Sequence, residues 1–233
     1  MFPYIDSKPE WDDLWFLKKI LLEETWNDGY LSISGRMRQF NSKDESEENL
    51  FTDWNAHSRC PNKTSDCGWG LGQLTVPIPT SQALWDWKSN IKEAVWLLTD
   101  LDHPDCKAHW VKHLFVNNNY AEDIKDWNDL NPNDKVELTV DYGGICWSTI
   151  SSPIFSGIPI FDELFPSNVP SNVYLDSHSL LDACLIHCYN QGTPNPLFLK
   201  VKNNGAGVKP EWDIGDNTRK YVKRVSERPI PIN

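Results

Sequence analysis

Apolar positions near the start of the chain fall at helical spacing. Trp11, Leu14, Trp15, Ile20, Leu21 and Leu22 predict one helix from Glu10 to Trp26, stopped by Asn27-Asp28-Gly29. Residues 31–66 are polar and turn-rich, and their acidic run Asp44-Glu45-Ser46-Glu47-Glu48 reads as a solvated loop with room for one short helix. The two prolines of Val76-Pro77-Ile78-Pro79-Thr80 exclude helix, after which Thr80 or Ser81 can cap a short helix through Trp87. A longer helix is predicted from Ser89, with Ile91, Ala94, Val95, Leu97 and Leu98 on a broad apolar face and Asp102-His103-Pro104 at its end. Another is predicted around Asp105 to Asn117.

The pattern then changes. From about Val136 to Asp176 a Val-Glu-Leu-Thr-Val run precedes clusters of Gly, Pro, Ser and Phe, which suits short strands or ordered loop. Helix is predicted again from Ser177 to Tyr189, where Ser177 or Ser179 can cap and Leu180, Leu181, Cys184, Leu185 and Cys188 occupy neighbouring faces. Gly192, Pro194 and Pro196 end it, and a last helix is predicted near Asn217 to Val225 with Tyr221, Val222 and Val225 facing inward. The expected class is mainly α (α+β): a single domain over 1–233 with a small strand or loop insertion at about 130–176.

Charge narrows the partners. A net charge of -11 argues against nucleic acid and anionic membrane, because a phosphate-binding surface needs clustered Lys or Arg. No apolar run approaches the roughly 18 residues of a membrane span, and the first residues, Met1-Phe2-Pro3-Tyr4-Ile5-Asp6, lack the basic and apolar regions of a signal peptide. Twelve tryptophans are enough both to fill a core and to stack on the apolar faces of sugar rings. Six cysteines are too sparse for a disulfide scaffold, although Cys60 and Cys67 flank a turn-rich loop that a disulfide between them would close.

Chemistry concentrates in Cys67-Gly68-Trp69-Gly70-Leu71-Gly72-Gln73-Leu74-Thr75 and in Trp85-Asp86-Trp87-Lys88-Ser89-Asn90-Ile91. Glycines let the backbone approach a bulky ligand, and Gln73 carries both a donor and an acceptor for hydroxyl and acetamide groups. Trp69, Trp85 and Trp87 are candidate stacking residues. His103, Cys106, His109 and His113 share part of a helix face, yet such a face cannot wrap four ligands tetrahedrally, and the trio Cys184, His187, Cys188 is similarly weak. No metal and no cofactor is expected.

Several motifs in order resemble the lysozyme-like superfamily of goose-type lysozymes and lytic transglycosylases, especially the lysozyme-like domains of bacterial secretion-system effectors. They are Gly70-Leu71-Gly72-Gln73-Leu74, then Asn90-Ile91, then Asp182-Ala183 with Tyr189-Asn190, and last Trp212 and Tyr221-Val222. The stretch from 130 to 175 has no counterpart. The resemblance implies a muramidase, a glycosidase that cuts the MurNAc-β-1,4-GlcNAc bond of peptidoglycan. It further implies an antibacterial toxin of type VI secretion character, monomeric, acting in the periplasm of a target cell and countered by an immunity protein.

In that family the acid is a Glu at the end of the first core helix, followed by Ser or Thr and an aromatic residue, and Glu23-Glu24-Thr25-Trp26 is similar to it. A carboxylate there meets the negative end of the helix dipole, and burial beneath tryptophan further favours its neutral form, as a general acid requires. Glu24 is favoured over Glu23. Ser34-Gly35-Arg36-Met37-Arg38-Gln39-Phe40-Asn41 resembles the flap that follows the acid, with Gln39 toward substrate. In several relatives the acid lies where Ser34 stands here, which leaves Ser34 or Glu48 as alternatives and an inactive glycan-binding module as the competing reading. A hydrolase also needs a second carboxylate about 6.5–9.5 Å away, for which Asp66 and Asp53 are candidates; a lytic transglycosylase uses the muramic acid hydroxyl instead. Gln73, Trp69, Gly70, Gly72, Tyr189 and Asn190 are implied on the substrate side.

Overall fold

A proline near the first helical position, where no N–H is needed, starts the chain as α1, Phe2–Asp6. In the computed structural model, which describes residues 1–25, 40–41, 60–61, 63, 67–117, 120–136, 139–141, 146–148, 154, 179–191, 209 and 215–230, the next segment is not the single helix expected from Glu10. Pro9–Trp11 is a 3₁₀ turn, and the hydrogen bonds Trp11 N to Lys8 O (2.9 Å), Leu14 N to Trp11 O (2.9 Å) and Leu17 N to Leu14 O (2.8 Å) continue the tight three-residue spacing. Pro9 has no N–H, and Asp12 and Asp13 prefer turns to helix interiors. The α-helix α2 therefore runs only from Leu17 to Thr25. Its first bond to the preceding turn joins Ile20 N to Phe16 O at 2.8 Å.

Phe16, Leu17, Ile20 and Leu21 are the largest fully buried side chains described. Burying each such side chain contributes about 1.5–3 kcal/mol, so α2 is a core helix of its unit. That unit comprises Met1–Thr99 with Arg228–Asn233, and a second comprises Asp100–Glu227.

In the first unit, β1 (Phe40–Asn41) pairs antiparallel with β2 (Cys60–Pro61), with Asn41 opposite Cys60. Helix α3, Ser81–Trp85, is capped by Thr80, whose hydroxyl oxygen accepts the Ala83 N–H at 3.2 Å. Helix α4, Trp87–Thr99, packs on α3. Asp86 separates them and caps α4, accepting the N–H groups of Lys88 at 3.2 Å and Ser89 at 3.0 Å. Asn90, Ile91, Ala94, Val95, Leu97 and Leu98 form the buried stripe of α4, so the predicted apolar face is found where the periodicity put it.

In the second unit α5 spans Lys107–Asn117 and α6 spans Tyr120–Leu130. No helix is predicted at α6 from its pattern, because it is rich in acids and Ile124 is its one residue described as buried. Side chains anchor its C-terminal end: Trp127 Nε1 donates to Asp134 O at 2.8 Å, and Asn128 Oδ1 accepts the Val136 N–H at 2.7 Å. Strand β3 (Thr139–Asp141) pairs antiparallel with β4 (Cys146–Ser148), within the stretch expected to hold short strands.

Helix α7, Leu180–Gln191, is the centre of this unit. Every residue from Ser179 to Cys188 is buried, because α5, α8 (Asp216–Glu227) and β4 pack around the helix. Ser179 is its cap, its Oγ accepting the Asp182 N–H at 3.1 Å. Tyr221, Val222 and Val225 are the inward stripe of α8, as predicted. The described residues are thus mainly helical, with two short two-stranded ladders, and none of their helices is long and apolar enough to cross a membrane.

Candidate functional site

Trp69 and Leu74 close the glycine turn by exchanging hydrogen bonds, Trp69 N to Leu74 O at 3.0 Å and Leu74 N to Trp69 O at 3.1 Å. Trp69 is bridged on its other side to Lys63, whose Nζ lies 5.1 Å from the indole centroid. A cation over an aromatic face is attracted by the ring quadrupole, so one region of the proposed stacking surface is already covered. The bridge joins Lys63, inside the loop that a Cys60–Cys67 disulfide would close, to Trp69 just beyond it. Cys67 is instead a free, exposed thiol.

Within the turn Gly70 has φ 67°, a left-handed conformation that glycine adopts without the Cβ penalty. Gln73 adopts φ 47° despite its side chain. Its backbone N–H and its Nε2 both donate to Gly70 O, at 3.3 and 2.6 Å, which compensates for the strain locally. Part of the amide expected to face ligand is therefore engaged in shaping the turn, and the Oε1 acceptor with the second Nε2 hydrogen remains.

Asn90 ties the turn to the first residues of α4. Fully buried, it accepts the Gly72 N–H on Oδ1 at 2.6 Å and donates through Nδ2 to Trp69 O and Ala83 O, both at 3.2 Å. One side chain thus holds the turn, the middle of α3 and the start of α4 in register. Trp87 serves packing: its ring meets Tyr4 edge-on at 5.2 Å, and Tyr4 meets Trp11 edge-on at 5.7 Å. Burial, then Asp86 and Glu10, raise the Tyr4 hydroxyl pKa.

Glu23 and Glu24 occupy the last turn of α2, both half-buried. The Glu23 carboxylate is ion-paired with the Arg228 guanidinium, a partner 205 positions away that no local pattern announces. Ser34, Gln39, Glu48, Asp53 and Asp66 lie outside the described residues, as does Trp212. Tyr189, half-buried, and Asn190, exposed, stand in the last turn of α7. Trp69, Gly70, Gly72, Gln73 and Asn90 are thereby brought together, whereas Tyr189 and Asn190 belong to the second unit.

Cys106, Cys184, Cys188 and His187 of the second unit are buried, whereas His103 is exposed and His109 and His113 are half-buried. Burial foremost, with Asp100 and Asp105, pushes the Cys106 thiol up to about 12, and burial likewise takes Cys188 to about 12 and Cys184 well above the ordinary value. Burial lowers His187 to about 4. Thiols held in the neutral form are poor nucleophiles and poor metal ligands. His109 places Nδ1 at 2.9 Å from Leu101 O, and its ring lies 4.1 Å from that of His113. Among the described residues no group of three or more His, Cys, Asp or Glu is arranged to hold a metal. Compared with known proteins, the chain matches no family model, no curated protein and no solved structure.

Proposed function

We propose that this chain is a lysozyme-like muramidase, a hydrolase or lytic transglycosylase that cuts the MurNAc-β-1,4-GlcNAc bond of peptidoglycan as an antibacterial effector toxin domain. The support is the closed turn Trp69–Leu74, locked by Asn90 to the start of α4, which is the pairing of motifs that carries the resemblance to that superfamily. The turn offers an uncharged amide beside an indole, a surface suited to an N-acetylated sugar. Glu24, in the last turn of a core helix, is assigned as general acid, protonating the glycosidic oxygen as it leaves. Water or the muramic acid hydroxyl then completes the reaction. Action in a target periplasm and inhibition by an immunity protein belong to the same proposal.

Mass spectrometry of digested peptidoglycan is the test. Release of muropeptides is expected, with anhydro-muramic ends from a transglycosylase and reducing ends from a hydrolase, and Glu24→Gln is expected to abolish it with little change in the thermal midpoint. Full activity in that variant removes Glu24 from the role. No release at any concentration of the unaltered protein removes the enzyme and favours the glycan-binding module to which Ser34 points.

A further inference from the structure

We propose that Arg228 is a positioning residue: by pinning Glu23 it fixes the last turn of α2 and so the direction of Glu24, with a catalytic meaning that rests on the muramidase reading. The carbonyls in the last turn of a helix lack intrahelical partners, and such turns fray unless something ties them. Here α2 ends at Thr25, directly after the two glutamates. Arg228 Nη2 donates to Glu23 Oε2, and the Glu23 side chain is only 9% exposed. A charge-assisted bond so far withdrawn from water is stronger than its surface equivalent.

Arg228 also stands at a particular place in the chain. It follows α8 directly and begins the C-terminal segment that rejoins the first unit, so this ion pair anchors that segment to α2. Successive helical residues are about 100° apart around the axis. Holding Glu23 therefore holds Glu24 at a set angle, and a loosened turn lets the acid leave its direction. Displacements of about 1 Å at a reacting group cost on the order of 100-fold in rate.

Hydrogen exchange over the 18–25 segment and kinetics on soluble glycan strands test this together, in the unaltered protein, Arg228→Met, Arg228→Lys and the double variant Glu23→Met/Arg228→Met. Lys223→Met, in an exposed pair with Glu227, is the control. Arg228→Met is expected to speed exchange in the last turn of α2 and to lower kcat by about tenfold or more at near-constant KM, with partial rescue by Arg228→Lys, which keeps the charge but not the fork. Unchanged exchange and kcat in Arg228→Met overturn the proposal. Should that variant not fold, the double variant decides, because it removes both charges of the pair together: reduced kcat in a folded protein supports positioning, and full kcat overturns it. If the unaltered protein cleaves nothing, the muramidase reading fails and hydrogen exchange alone decides whether Arg228 pins the helix end.

Discussion

Asn90 illustrates how one buried amide can carry the geometry of a turn. Its three hydrogen bonds serve Gly72, Trp69 and Ala83, groups from two sequence neighbourhoods. Asn90→Ala removes all three of these bonds from a buried side chain, and a loss of about 2–4 kcal/mol is expected, read as a lowered urea midpoint. Asn90→Asp should not rescue it, since a carboxylate offers no donor to Trp69 O and Ala83 O. Asn90 was legible in the sequence as part of a motif, but its partners were not. Arg228 was not legible at all: a pairing of two side chains across 205 residues leaves no periodicity, cap or turn signal behind.

At the scale of elements, the two caps around α3 and α4 were only half visible. Thr80 was a predicted cap, and its hydroxyl oxygen does accept the Ala83 N–H. Asp86 caps the next helix, which begins two residues earlier than the Ser89 start expected from the apolar pattern. Thr80→Ala and Asp86→Ala are each expected to cost about 0.5–2 kcal/mol, measured by denaturant unfolding. A loss confined to Thr80 would show that Asp86 is dispensable as a cap. Pattern also failed at both extremes of composition. Before α2 the apolar spacing continued through Pro9, Asp12 and Asp13, where backbone chemistry favours tight turns over helix. In α6 the helix is real, but its acidic surface hides it from a hydrophobic reading.

For the molecule as a whole, buried titratable groups in the second unit couple folding to pH. His187 is about 4 when folded against an ordinary 6.5, so between these values the unfolded chain takes a proton that the folded chain refuses. Its contribution is intact above pH 6.5 and is lost as pH falls through about 4. At pH 5 the loss from this residue is about 2 kcal/mol, and His187→Gln should flatten that part of the urea-midpoint profile; an identical slope in the variant would refute the assignment. Lys107, buried over the Trp110 ring at 4.0 Å, is lowered to about 8 by burial and works in the alkaline range. Stability is gained as pH rises from about 8 toward its ordinary 10.5, while Cys106 and Cys188 withdraw stability above pH 9, where the unfolded thiols ionise first.

Local pattern by itself determined the mainly helical class, the apolar stripes of α4, α7 and α8, the Thr80 cap and the turn around Gly70, because propensity, periodicity and turn chemistry act over a few residues. Tertiary structure alone decided that α7 is surrounded on every side, that Asn90 locks the turn to two helices, and that Glu23 is held by Arg228. Those outcomes depend on which distant groups meet in a low-dielectric interior, where an amide or a charge must find its partner through space and not along the chain.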